Sequence, residues 1–586
     1  MQGGTRKGFT SSVSQNAIGN SQQITLDVSD LFLSDNSFIT AASSGQGNAG
    51  SILIQKADRI RLNRSTISTE INTGAIATSP SNIRIAADQL QLNNAQITAS
   101  SAGTGRAGAI TIRGDETRIA DRVSLTNGSA ISTDIRRTGN GRGGNISIRT
   151  QTLNLDDRSR ISARTRGRGE AGTLDVFATI LSLAQGSQLL TSTSSNSDAG
   201  DISLTVSDRL LIDGQQAGSN SGIFASTSRN SSGRGGAIAI DTTDLRLSNR
   251  GTISAQSRGS NDAGNIDIEA DGLFSLSNSD ILAIATTGAS GNIRVNADQL
   301  QLDDRATISA QVSGDNPAGF IRLTATDLRL QNQSEISARS SGRGNAGNIE
   351  IAVEDSFLAN DSILLTDAAQ AFGGAIRLRA SDIRLENDSD IRTQVAESGG
   401  NSGGNSGGNS GGNIILTADT ILAFDDSDID ASAPTGQGGD ITLNTDVFFG
   451  AGYQAELNSG ETNGNNRVDV NASGERSGVV TAPDVSFIQN SLADLPARAI
   501  NTDQLLANSC IARTEQGGTF LITGTGGLPA APGNDAASVY PTGEVRGIPV
   551  EGEGANWQSG DPIVEPQGVY RLPDGRLVMS RECDFR

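Results

Sequence analysis

The residues best able to do chemistry in this chain are its acids. Adjacent aspartates occur as Asp156-Asp157 and Asp303-Asp304, and a denser group comprises Asp425, Asp426, Asp428 and Asp430. Paired carboxylates about 5–9.5 Å apart can hydrolyse glycosidic bonds, and several on one loop can hold Ca²⁺. The first two pairs follow a short apolar segment, where Asp serves as a turn former. The four-residue group is the candidate cation site. There is no His, which excludes imidazole acid–base catalysis and three-His zinc sites. Arginines cluster as Arg136-Arg137-Arg142 and Arg164-Arg166-Arg168 in Gly-rich stretches. They read as solvated loop charge, or as contacts for anionic glycans. A further acidic set, Asp30, Asp58, Asp88, Asp208, Asp244, Asp298, Asp327 and Asp382, recurs just before an apolar segment. If these stacked, like charges would repel. An Arg such as Arg246, Arg329 or Arg384, a backbone donor or a cation would have to relieve them, unless each Asp satisfies its own turn amides. None of these sets forms a catalytic or cofactor-binding constellation, so the expectation is a protein that is not an enzyme and carries no cofactor.

The elements that position these residues follow from internal repetition. Ile293-Arg294-Val295, Leu300-Gln301-Leu302 and Thr307-Ile308-Ser309-Ala310 lead into a polar loop ending at Gly319; Ile321, Leu328 and Ile336 then repeat the pattern. First-segment anchors fall at Ile24, Ile52, Ile83, Ile110, Ile146, Leu174, Ile202, Ile238, Ile266, Ile293, Ile321, Ile349, Ile376, Ile414, Ile441 and Val468. The usual interval is about 27–28 residues, longer where a loop is expanded. Alternating apolar segments of three to five residues are strands, too short for helices. The fold expected is therefore all-β: a right-handed single-stranded parallel β-helix with three short strands per coil and about 16 coils. Ile67, Ile97, Ile131, Ile161, Ile253, Ile308, Ile336 and Ile391 should form one aliphatic stack. Asn82, Asn145, Asn265, Asn292, Asn348 and Asn413 precede the first strand, either as a ladder of side chains bonded to the next coil or as tolerant turn formers.

Composition agrees with a thin-walled rod. Gly numbers 71 and aromatics make up only 3% of the chain, too few rings for ordinary globular cores of this length. The net charge of −20 repels a phosphate backbone, so no nucleic-acid partner is expected. No stretch is long and apolar enough for a transmembrane segment. Residues 1–20 read as a partial coil or disordered start without a recognisable signal peptide. Residues 21–480 carry the repeats, with a Gly/Asn/Ser-rich loop insert at 398–413. Nine of the 12 prolines follow residue 480, and Trp557 and all three tyrosines lie beyond 450. Residues 481–586 thus read as a small non-repetitive C-terminal capping domain.

The repeat, with its Gly-Asn-Ile opening, resembles those of filamentous-haemagglutinin-type exoproteins of two-partner secretion. The tail resembles one large group of them more specifically, through Pro483-Asp484-Val485, Leu495-Pro496, Leu505, Cys510-Ile511-Ala512, Phe520 to Pro529, Asp574-Gly575-Arg576-Leu577 and Cys583. The resemblance implies an extracellular or outer-membrane-surface adhesin of a Gram-negative bacterium, with a glycan or cell-surface receptor as partner. It also implies a two-partner secretion barrel as export partner, provided that an upstream secretion domain exists; no such domain is visible in this chain. The two cysteines, Cys510 and Cys583, would pair in an oxidising compartment and be two ordinary thiols in a reducing one; the extracellular placement implied by the resemblance favours the disulfide. Two other functional readings stand beside the adhesin: a surface-layer-like spacer without specific ligand, and a β-helix polysaccharide lyase or hydrolase.

Overall fold

The computed structural model describes residues 7–115, 117–395, 410–453 and 464–483, with 545–547, 568–571, 575 and 577–580 beyond them. The chain divides into two compact units, 1–485 and 486–586.

The first unit is a parallel β-solenoid of about 15 turns, without a helix among the described residues. Most of its strands lie in a 23-stranded sheet and a 16-stranded sheet, with two small two-stranded sheets beside them. Successive first-strand anchors face each other one coil apart: Ile24 pairs with Ile52, Ile52 with Ile83, Ile293 with Ile321 and Ile414 with Ile441. One expected anchor is corrected. The partner of Ile441 is Val480, not Val468, because the segment around Val468 feeds Val470 into the other sheet, opposite Ile429. Residues before 21 also contribute to the rod, since Gly8–Thr10 pairs with Phe38–Thr40.

The three segments of a coil are present, but the first two are not always separate strands. In many coils the first two segments run on as one strand, such as Ile52–Asn63, Leu174–Ala184 and Ile266–Ser277. A register shift marks the bend, for example between Ala270 and Leu273. Small buried residues at that bend, Ala57, Ala178 and Ala270 among them, let the backbone turn without opening the ladder. From Ile321 onward the two halves separate, as Ile321–Ala325 and Asp327–Gln331. The third segment forms the 16-stranded sheet. A line of single parallel bridges, Ile71 to Ser101 to Ile135 to Thr165, continues the wall beyond it.

Alternation puts one aliphatic set inside. Ile67, Ile97, Ile131 and Ile161 pair in register, and Ile253, Ile308, Ile336 and Ile391 continue the stack through Ile281 and Leu364. All belong to one apolar core running along the rod. A coil's narrow side closes on itself. The Gly291 N–H donates to the Ala283 carbonyl and the Gly347 N–H to the Ala338 carbonyl, both within one coil. There the glycines stack so closely that a Cβ on Gly291 would land on the Gly264 carbonyl oxygen. This close approach accounts for the Gly that opens most repeats, with Ser81 in its place before Ile83.

In the second unit, Val545–Gly547 pairs parallel with Gly568–Arg571, which pairs antiparallel with Leu577–Ser580. Gly575, at φ +89°, lies in the connection of that antiparallel pair. Cys510 and Cys583 lie outside the described residues, as do 396–409, which hold most of the Gly/Asn/Ser insert.

Candidate functional site

The sequence-predicted acids are placed first by turn geometry. The turn after the second strand takes two consecutive left-handed residues: Asp157 and Arg158 (φ 49° and 57°), Asp304 and Arg305 (50° and 62°), Asp425 and Asp426 (51° and 63°). Asn and Asp tolerate this conformation best after Gly. Asp156 and Asp303 each accept the N–H of the following Asp, at 2.9 and 2.8 Å. Both pairs are therefore turn formers.

The candidate cation group is dispersed. Asp426 caps a neighbouring segment, its Oδ1 accepting the Asn465 N–H at 3.1 Å and its Oδ2 the Gly464 N–H. Asp430 accepts from Ser432 N–H at 2.8 Å and from Gln394. Asp428 joins a different set, a column with Asp390 and Asp469: Asp390 Oδ1 accepts the Asp428 N–H at 3.1 Å, and Asp428 Oδ1 the Asp469 N–H at 2.8 Å. Asp428 is 2% exposed, and its Oδ2 has no partner among the described residues. Burial pushes its carboxyl up to about 8, with Asp390 and Asp469 adding to the shift, and pushes Asp390 up to about 6. Among the described residues no group of three or more acids or cysteines is arranged to hold a metal ion.

The recurring aspartates before the second strand do not form a like-charge stack throughout. Asp30 faces Arg59 and is ion-paired with it at 3.1 Å. Asp327 and Asp382 are separated by Ser356, which donates to Asp327, while Thr420 donates to Asp382. Asp244 accepts the Leu273 N–H at 3.1 Å. For these four, relief comes from the next coil rather than from the Asp's own turn. The suggested Arg384 instead pairs with Glu386 and lies over Phe424.

The third-strand wall carries an open groove of about 470 Å³. Its floor is built by four in-register strands, Gln188–Leu190, Gly222–Phe224, Thr252–Ser254 and Asp280–Leu282. Leu190, Phe224, Ser254 and Leu282 form one column, with Leu190 buried and Phe224 and Leu282 half-buried. Gly222 leaves the column beside Phe224 without a side chain, between Gln188 and Thr252. Amides and hydroxyls flank this apolar stripe. The Gln188 amide donates to the Asn220 carbonyl at 3.0 Å, the Asn220 amide to the Thr252 hydroxyl at 3.1 Å, and the Ser226 and Ser254 hydroxyls lie 3.1 Å apart. Gln256 and Arg258 line the groove and also an adjoining hollow of about 620 Å³ that includes Arg229.

Of the Arg clusters, the groove gathers Arg164 and Arg166. Arg164 is committed to Asp134 at 3.4 Å. Arg136 and Arg142 pair with Glu70 and Glu170. The Arg164 guanidinium, then burial, pushes Arg166 below the usual guanidinium value, with Arg137 adding to it. At the far end, burial pushes the Asp280 carboxyl up, opposed by Arg250.

No family model, curated protein or solved structure matches the chain. Among the described residues no helix is long and apolar enough to cross a membrane.

Proposed function

We propose that this chain is a surface-exposed binding scaffold of the exoprotein kind, an adhesin that takes an extended carbohydrate chain along the groove between Arg164 and Leu282. The observation that carries the reading is the composition of that groove. Phe224 and its aliphatic neighbours offer an apolar strip to the C–H faces of sugar rings, and the amides and hydroxyls beside them suit hydroxyl groups. Coil stacking holds these residues on rigid strands at regular intervals, as a linear polymer requires. Fold alone assigns no function, so the proposal rests on the groove. By the same reading the chain works outside the cell, which the sequence resemblance favours.

The test is binding of the purified chain to an array of oligosaccharides, compared with Phe224→Ala. Saturable binding that weakens at least tenfold in the variant supports the reading. If no glycan binds, or if the variant binds as the parent does, the groove is not the ligand site and the spacer reading takes its place.

A further inference from the structure

We infer that the groove's ligand is an acidic linear glycan whose carboxylate or sulfate groups are held by Arg166 and Arg258. This inference rests on the carbohydrate reading above and adds the chemical class.

The first argument is local charge. The chain as a whole carries −20. Yet the groove and its adjoining hollow are lined by Arg164, Arg166, Arg229 and Arg258 against a single acid, Asp280. A positive strip on an acidic rod is a local feature of this wall and not a consequence of overall composition.

The second argument is pairing. Arg164, Arg136 and Arg142 nearby each have a carboxylate partner. Among the described residues, no acid lies within ion-pair distance of Arg166, Arg229 or Arg258. Arg166, Arg229 and Arg258 are exposed, and Arg166 stands close to the cations Arg164 and Arg137. Asp134, already paired with Arg164, offsets this crowding only in part, and a bound carboxylate or sulfate would relieve the rest. A guanidinium meets such groups through two parallel hydrogen bonds, so it is the side chain suited to them.

The third argument is spacing. Thr165, Thr193, Thr227 and Ser257 are bridged in succession, so Arg166 and Arg258 stand three coils apart on one wall, roughly 14 Å at strand spacing. A small anion would meet one of them. A chain lying along the rod meets both, and passes Phe224 between them. Nucleic acid fits this groove less well, because the groove offers one aromatic ring where strand-binding proteins stack successive bases on several.

The test uses the full chain and immobilised oligosaccharides of equal length: neutral, uronic-acid-bearing and sulfated. Binding is read at low and high salt, because exposed charge contacts are screened. The expected result is acidic chains bound at least tenfold more tightly than neutral ones, with the gain lost at high salt. Arg166→Gln with Arg258→Gln should remove that gain, whereas Phe224→Ala should weaken acidic and neutral binding together. Unchanged circular dichroism shows that each variant is folded. The relative affinity for uronic and sulfated chains identifies which anion is read. If neutral and acidic chains bind equally and the double variant changes nothing, the acidic assignment is overturned while the carbohydrate reading stands. If no glycan binds, both fall. If a single-stranded oligonucleotide competes better than any glycan, the ligand class is wrong.

Discussion

The Asn292 side-chain oxygen accepts the backbone N–H of Phe320, one coil further on, at 3.0 Å, while the Asn292 N–H donates to the Asn265 side chain at 2.9 Å. The column of asparagines is therefore a chain of side-chain-to-backbone bonds and not a stack of amides bonded to one another. Asn82, Asn348 and Asn413 make the same bond to Ala109, Ala375 and Asp440. Only an acceptor is needed, and so Asp201 and Asp440 serve in the same way, toward Ala237 and Val479.

Asn292→Leu should accordingly cost about 1 kcal/mol, the usual value for one such bond, and Asn292→Asp much less. Urea unfolding of the two variants measures this. Equal losses would mean that the amide's donor group matters and that the acceptor account is wrong.

Gly291→Ala should be worse than either. Its methyl group would occupy the place of the Gly264 carbonyl oxygen, so one of the two stacked backbones must shift to admit it. Overpacking of this kind costs about 1–3 kcal/mol or more. A melting temperature within a degree or so of the parent would show that the glycine column is not sterically required.

Much of the rod was legible because the inward positions tolerate little besides aliphatic side chains, and their recurrence at Ile293, Ile321 and Ile349 sets the coil directly. The error at Val468 arose where Val468-Asp469-Val470 alternates like a first strand but belongs to the other sheet. The overlooked signal was Gly478, which stands two residues before Val480 as Gly439 stands before Ile441 and stacks on it. The groove was missed for another reason. At the last position of the third strand the sequence usually places a small hydroxyl residue, as at Ser68, Ser162, Ser254, Ser309 and Ser337; Leu190, Phe224 and Leu282 replace it there. That exchange was visible, but nothing in one sequence says that three replaced positions lie within four successive coils on an open wall. The spread of the Asp425–Asp430 acids over different partners depends on residues some 38 positions away or more, such as Gly464 and Asp469, which local spacing does not reveal.

Stability should be nearly a sum over coils and their immediate contacts. Removing Ile293 to Phe320 joins Asn292 to Ile321, which occupies the same wall position as Ile293. The product should be a shorter folded rod with the same circular dichroism per residue. Ile308→Asp should be more damaging, because Ile308 is 0% exposed within the aliphatic stack and an unpaired buried charge is costly. If the deletion unfolds the chain while Ile308→Asp is tolerated, nearest-neighbour additivity fails.

The last prediction concerns pH. Asp390, Asp428 and Asp469 sit one above another, since Ile391 pairs with Ile429 and Ile429 with Val470. Asp390 is raised to about 6 and Asp428 to about 8, chiefly by burial, from an ordinary value of 3.8. A carboxyl raised on folding means that, between about pH 4 and pH 8, the folded chain holds protons that the unfolded chain has released. Stability therefore falls as pH rises through that window and stays low above it. The general acidity of the rod acts in the same direction, so the parent alone cannot isolate the column. Asp428→Asn does, because it fixes the neutral form. Near pH 4 the variant should melt close to the parent; near pH 9 it should melt a few degrees higher, with the difference opening between the two. Hydrogen exchange at the Asp469 amide, which bonds to Asp428 Oδ1, locates the effect: opening there should speed up with pH in the parent beyond the intrinsic base dependence of exchange, and less so in the variant. Parallel melting curves at all pH values would show that folding leaves the proton affinity of Asp428 unchanged, so that burial does not raise it.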